Sequence, residues 1–317
     1  MKKITAFFCL VCLICACEKS KVTEIENNVI TEEEAFDLVL QSINELNASY
    51  GYDETKSMSK PFVVAASDAA GGAIGRWVGK TLGAGAGVVT GNPVVGVVGY
   101  VGGRKFGGWA GSVMASALAE KYYPTDAMAV NNPFVLKSLP YTATGYYPAE
   151  DISFGDIHNY FLPMFRNTET SFLTPEGTVN SEDLFNDLQA LAVEYNVEDP
   201  LLSNESWKET MTSYYDELAV VLNNASSNNE DPEVTITNIQ QVMENIGMPE
   251  EEAQAITPVI SSLSSCVATL RPNRVKSYER DYTALISASK MRYEKKLEFI
   301  DLGSVTIMST AYWNTKK

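Results

Sequence analysis

The chain has a single histidine, His158, and that count limits the catalytic chemistry open to it. A metal site built from several histidines is excluded, and a Ser-His-Asp triad could use only this imidazole. No Gly-x-Ser-x-Gly turn is present to hold a catalytic serine. His158 is followed by Asn159, Tyr160 and Phe161, a setting that predicts a hydrogen-bonded structural imidazole more than a catalytic base.

Two further patterns resemble functional sites without completing them. The segment Gly75-Arg-Trp-Val-Gly79-Lys80-Thr81 approaches a phosphate-binding loop, but it has three residues between its glycines where that loop has four. The acidic run Glu250-Glu-Glu252 precedes a predicted helix, where carboxylates commonly stabilise the helix dipole. The sequence therefore predicts no cofactor, no metal and no acid/base pair. An enzyme acting on envelope polymers is kept only as a third hypothesis.

The cysteines carry a different chemistry, because four of the five fall within the first 17 residues. Lys2 and Lys3 precede an apolar run that ends in Ile14-Cys15-Ala16-Cys17. This start resembles the lipobox of bacterial lipoproteins, with Ile14 and Cys15 as departures from its commonest form. The resemblance implies that a signal peptide is removed and that Cys17 is acylated and held in a lipid bilayer.

Two residues refine that expectation. Glu18 follows the cysteine, which by analogy favours delivery to the outer membrane in the cell envelope, without indicating which face is displayed. Cys266 would be the only thiol left after lipidation, so no internal disulfide can form, and its apolar neighbours predict a buried core residue.

Charge is unevenly distributed along the chain. The net charge of −16 argues against nucleic acid as a partner, since an anionic surface repels phosphates. From Ala69 to Ala119 there is no Asp or Glu at all. The same stretch contains four basic residues, which are candidates for contact with a membrane surface or another anion: Arg76, Lys80, Arg104 and Lys105.

A regular glycine repeat occupies this basic stretch. Ten glycines follow a four-residue spacing interrupted once, at Gly91-Asn92-Pro93: Gly71, Gly75, Gly79, Gly83, Gly87, Gly91, Gly99, Gly103, Gly107 and Gly111. This spacing places them along one stripe of each arm of a helical hairpin. Each glycine costs a helix about 1 kcal/mol relative to alanine, so close packing must offset the cost. That packing is expected between the arms, with neighbouring helices, or through self-association of the stripe.

The repeat resembles the glycine zippers of outer-membrane lipoproteins and of small membrane-permeabilising bacteriocins, over about residues 65 to 120. The whole layout is similar to that of uncharacterised lipoproteins of Gram-negative bacteria, a likeness that implies no activity. Both arms are long enough as helices to cross a bilayer. Lys80, Arg104 and Lys105 would then lie at similar depth, which disfavours a lipid-exposed hairpin and leaves insertion through an oligomer open.

The remaining sequence predicts a mainly α fold, in which the hairpin packs with or beside a C-terminal helical domain. Thr31-Glu-Glu-Glu34 is typical of a helix N-terminus, and Gly303 is expected to separate the last two helices. The predicted segments are a signal peptide (1–16), a lipidated tether (17–30), a helix and loop (31–60), the hairpin (61–120), an aromatic, proline-rich connector without long helices (121–175) and the helical domain (176–317).

Two functions fit these features. In the first, the protein is a membrane-associated lipoprotein whose basic hairpin is held against acidic helices until it meets a bilayer or oligomerises. In the alternative, it is a non-catalytic surface binding or structural module in which the hairpin is only a packed core.

Overall fold

The computed structural model describes residues 30–52, 60–90, 93–124, 132–138, 152–167, 174, 178–194 and 204–315. Cys17, Gly91 and the predicted signal peptide and tether up to residue 29 lie outside these residues. The described chain forms ten helices, which confirms the mainly α prediction. They are α1 (Glu32–Ser49), α2 (Lys60–Thr90), α3 (Pro93–Tyr122), α4 (Phe154–Asn167), α5 (Ser181–Glu194), α6 (Glu205–Asn228), α7 (Pro232–Asn245), α8 (Glu250–Val267), α9 (Pro272–Ala288) and α10 (Tyr293–Trp313).

Helix α1 begins at the capping box that the sequence predicts. The Thr31 hydroxyl accepts a hydrogen bond from the Glu34 amide at 3.1 Å, and the Glu34 carboxylate accepts one from the Thr31 amide at 2.8 Å. The helix buries Val39 and Ile43, and it contacts α8 and α9. Near its end, Asn47 donates to the Ser262 carbonyl at 3.1 Å, which ties α1 to α8.

Helices α2 and α3 form the predicted hairpin, and its glycines let the two backbones touch. A Cβ added to Gly75 would lie nearer than 3.0 Å to the Gly107 carbonyl oxygen, and one added to Gly107 would meet that of Gly75 in the same way. Gly71 and Gly111 form a second such pair. The close approach is thus confirmed for these four glycines.

For the other described glycines of the predicted stripe, the structure gives the helix to which each belongs and, for Gly79 alone, its surroundings. Gly79 is buried in α2, and its Cα would lie 3.5 Å from a Cβ added to Gly107. Gly83 and Gly87 continue α2, and Gly99 and Gly103 belong to α3. For residues 82–90 and 93–106 only the helical backbone is described.

The described base of the hairpin lies inside the molecule. Helix α2 contacts α6, α7, α8 and α10, and α3 contacts α4 and α6. Phe62 and Ile74 of α2 and Met114 of α3 belong to the same buried cluster as Trp207 of α6 and Trp313 of α10. One hydrophobic core therefore includes residues from the first described helix to the last.

The predicted helix break at Gly303 is wrong. Helix α10 runs through this residue, and the chain breaks earlier, between Ala288 and Tyr293. A Cβ on Gly303 would fall inside the ring of Tyr282, whose hydroxyl donates to the Phe299 carbonyl at 2.6 Å. The glycine serves the close packing of α9 on α10, which a local reading of the sequence cannot distinguish from a helix end.

The predicted connector contains a helix of 14 residues, α4, in spite of Pro163 within it. Ser153 and Asp156 start this helix by exchanging hydrogen bonds between their side chains and amides. Among the described residues, no helix combines the length and apolar character needed to cross a membrane.

Candidate functional site

A glycine brings His158 into the core. A Cβ on Gly155 would collide with the backbone of Ser304, and the Gly155 amide donates to the Ser304 hydroxyl at 2.7 Å. This contact seats the first turn of α4 directly on α10. One turn later, His158 and Asn159 point into the protein with no exposed surface.

His158 contacts three polar side chains from the hairpin. Its Nδ1 lies 2.9 Å from the Ser112 hydroxyl, and its Nε2 lies 3.4 Å from the Ser116 hydroxyl. The same Nε2 lies 3.4 Å from a carboxylate oxygen of Asp68. Ser112 and Ser116 come from α3 and Asp68 from α2, so the imidazole connects both arms of the hairpin.

Asp68 is the centre of this buried cluster. Its Oδ2 accepts a hydrogen bond from the Trp313 indole at 3.0 Å and another from the Ser309 hydroxyl, both from α10. Its Oδ1 is buried without a hydrogen-bond partner, as is the hydroxyl of Tyr214. Burial, with a smaller contribution from the charge of Asp68, raises the pKa of Tyr214 far above its ordinary value.

The cluster has the residue types of a catalytic triad but lacks the access that catalysis requires. Asp68, Ser112, Ser116 and His158 have no exposed surface, so a substrate carbonyl cannot reach either serine. The Ser112 hydroxyl also donates to the Trp109 carbonyl of its own helix at 2.9 Å. Its proton therefore points to that carbonyl and not to His158. What the arrangement does is join α2, α3, α4 and α10 through polar contacts in the core.

The basic residues of the hairpin are met by carboxylates of α10. Arg76 is buried, donates to the Glu298 carbonyl at 2.9 Å and lies 3.8 Å from the Asp301 carboxylate. Lys80 lies 3.1 Å from the Glu298 carboxylate. These two predicted membrane contacts are therefore turned towards the protein. Arg104 and Lys105 belong to α3, and their side chains lie outside the described residues.

Glu298 is held ionised by two lysines. Its carboxylate lies 3.1 Å from Lys80 and 3.0 Å from Lys295. Burial alone would raise the pKa of Glu298, but the two ammonium groups outweigh that effect, and the pKa is lowered. Lys295 also contacts Glu252 of α8 at 2.9 Å, so the cluster links α2, α8 and α10.

A second ionic cluster, in which an exposed lysine covers two buried carboxylates, fixes the start of α4. Lys276 of α9 lies 2.6 Å from Asp156 and 2.8 Å from Glu279. Burial lowers the pKa of Lys276, but the two carboxylates outweigh it and the pKa is raised. Glu279 also accepts a hydrogen bond from the Ser304 hydroxyl at 2.7 Å.

Helices α1, α2, α8 and α10 line a cavity of about 620 Å³ that is partly open to solvent. Its lining combines apolar and aromatic side chains with acidic and basic groups, among them Trp77, Lys80 and Glu251. Sequence reasoning did not find it, because residues from four separate helices line it.

The prediction for Cys266 can be compared with the structure. Cys266 is fully buried, and burial raises the pKa of its thiol to about 11, which fits the predicted core residue. Among the described residues, no group of three or more acidic, His or Cys side chains could hold a metal ion.

From the sequence, His158 was identified but Asp68 beside it was missed, as were the Ser309 and Trp313 side chains that donate to Asp68. One signal was present: Asp68 is the only charged residue between Lys60 and Arg76, in a run of alanine, valine and glycine. A lone carboxylate on such a helix is usually hydrogen-bonded in the core.

The chain matches no family of known proteins, no curated protein and no solved structure.

Proposed function

We propose that this protein is a lipoprotein of the cell envelope, anchored through acylated Cys17, whose glycine hairpin is the fixed core of a non-catalytic binding or structural module. The single observation that carries the proposal is the burial of Asp68. This carboxylate of the hairpin bonds to Ser309 and Trp313 of α10 and lies beside His158 of α4. If the hairpin left the core, three buried side chains, Ser309, Trp313 and His158, would all lose their contact with Asp68.

The proposal is tested by covalently restraining the hairpin. Ala70 of α2 and Ala311 of α10 are both buried in helices that contact each other. A panel of cysteine pairs around these two positions, in a background of Cys17→Ser and Cys266→Ala that removes the lipid anchor, should yield oxidised variants with the helix content and the vesicle binding of the reduced protein. Binding to anionic vesicles that the reduced protein shows and the oxidised protein lacks would contradict a fixed hairpin.

The anchor needs a separate test. Metabolic labelling with a fatty-acid analogue should mark the parent and fail to mark Cys17→Ser. The Cys17→Ser variant should leave the membrane fraction and be monomeric. Unchanged labelling of that variant would remove the lipoprotein assignment.

A second function, permeabilisation of membranes by a released hairpin, is favoured by one observation. Arg76 lies beside Asp301 and Lys80 beside Glu298. Such ion pairs are expected if acidic helices keep a basic hairpin folded against the protein until it meets a membrane. Under this function, Glu298→Gln combined with Asp301→Asn should increase leakage of dye from anionic vesicles, with neutral vesicles as the control. Equal leakage by parent and variant would leave the fixed core as the better account.

A further inference from the structure

The cavity between α1, α2, α8 and α10 has properties of a ligand site that the fixed-core function does not use. Its volume of about 620 Å³ falls within the range of small-molecule sites in proteins. Its apolar lining includes Met248, Ile256 and Leu302.

The basic groups around the cavity are already paired. Each lies within 4.0 Å of a carboxylate: Arg76 with Asp301, Lys80 with Glu298, Arg292 with Glu32, and Lys295 with Glu252 and Glu298. Their positive charge is therefore compensated locally. An anionic ligand would have to displace one of these carboxylates to bind.

Three carboxylates of the lining remain without such compensation. Glu33 and Asp37 of α1 and Glu251 of α8 line the cavity and are exposed. None of them forms an ion pair or a side-chain hydrogen bond with another described residue. The uncompensated charge at the cavity is thus negative.

Aromatic rings from three helices line the same space. They are Phe36 of α1, Trp77 of α2 and Phe299 of α10, and the centroids of the two phenylalanine rings lie 5.7 Å apart. Aromatic faces attract organic cations, most strongly where little water intervenes. The aromatic rings and the unpaired carboxylates together suit a ligand that has a cationic nitrogen and an apolar group attached to it.

We propose that this cavity binds a small organic cation of the alkylammonium class. The alkyl body lies among the aromatic and aliphatic side chains, and the cationic nitrogen lies towards Glu33, Asp37 and Glu251. Because these carboxylates are exposed and screened by solvent, the selectivity over an uncharged analogue is moderate, on the order of tenfold.

The test uses the full chain with Cys17→Ser, so that no detergent competes for the cavity. Hexyltrimethylammonium, hexanol and hexanoate are titrated separately in low-salt buffer, and tryptophan fluorescence is followed. Trp77 lines the cavity, whereas Trp109, Trp207 and Trp313 are at most 5% exposed, so Trp77 is the expected reporter. The ammonium ion should bind roughly ten times more tightly than hexanol, and hexanoate more weakly than either.

Substitutions of exposed carboxylates separate charge recognition from folding. Glu33→Gln combined with Asp37→Asn should lower the affinity for the ammonium ion at least about threefold and leave hexanol binding unchanged. The matched control, Glu182→Gln with Glu209→Gln, removes the same charge from exposed positions outside the cavity and should bind like the parent. Trp77→Phe should abolish the fluorescence change while calorimetry still detects binding.

Three results would overturn the proposal. The first is equal affinity for the ammonium ion, the alcohol and the carboxylate. The second is an affinity for the ammonium ion that the Glu33 and Asp37 substitutions leave unchanged. The third is binding that occurs only after deletion of residues 18–29, which would make that segment of the chain the natural occupant.

Discussion

At the scale of single residues, the core depends on one carboxylate. Asp68 gathers donors from Ser309 and Trp313 and lies beside His158. Removing a buried acceptor of this kind is costly, because the donors left behind keep their desolvation cost without a hydrogen bond. Asp68 should therefore be the most sensitive polar position of the hairpin.

Asp68→Ala is expected to lower the free energy of unfolding by about 3 kcal/mol, since it leaves the Trp313 indole and the Ser309 hydroxyl buried without their acceptor. Urea denaturation followed by circular dichroism measures the change. Asp37→Ala, on an exposed position of α1, is the control and should change stability by less than about 0.5 kcal/mol. A similar loss in both variants would contradict a special role for Asp68.

Glu298 gives the protein an acid-sensitive contact. Its pKa is lowered in the folded state, so its ion pairs stabilise the protein fully above the ordinary pKa of a glutamate and are lost as the pH falls through the folded value. The stability difference between the parent and Glu298→Gln should be constant above about pH 5.5 and shrink under stronger acid. Urea titrations at several pH values measure it, with Glu209→Gln as the control. A difference that grows on acidification would have the wrong sign.

At the scale of helices, small residues mark the places where backbones meet. The repeat predicted the hairpin, because the four-residue spacing places the glycines along one stripe of each helix. It left open what packs against that stripe, and the structure shows arm-on-arm contact for Gly71, Gly75, Gly107 and Gly111. The capping box likewise predicted the start of α1. Gly303 was misread, since the ring that fills its missing side chain belongs to Tyr282 on another helix. The hydrogen-bond partners of Asp68 could not be predicted, because Ser309 follows Asp68 by 241 residues and no local pattern links them.

Gly75→Ala and Gly107→Ala test the hairpin directly. Alanine favours a helix over glycine by about 1 kcal/mol, yet here its Cβ meets a backbone carbonyl that cannot move aside cheaply. Each substitution should therefore destabilise the protein, by about 2 kcal/mol or more, as an overpacked core does. Thr237→Ala, on an exposed position of α7, is the control and should be neutral or stabilising in the same thermal melts. Stabilisation by either glycine variant would contradict the close approach of α2 and α3.

At the scale of the whole molecule, the described helices share one core. Residues of all ten described helices belong to a single buried cluster. Such a core should unfold in one step, with the hairpin and the C-terminal helical domain, which the sequence predicts to pack with or beside each other, melting together. Circular dichroism, which reports on every helix, should give the same urea midpoint as the fluorescence of Trp77, Trp109, Trp207 and Trp313. Two distinct midpoints would favour separate units.

The long sequence separation between Asp68 and Trp313 has a consequence for biosynthesis. The hairpin arms are made first, with an apolar surface and a carboxylate whose partners follow 241 and 245 residues later. Until α10 is synthesised, the part of that surface that α10 buries lacks its native cover and is prone to aggregate. We therefore expect the growing chain to need a holding chaperone, and ribosome-bound chains that stop before α10 to associate with one far longer than chains that include it.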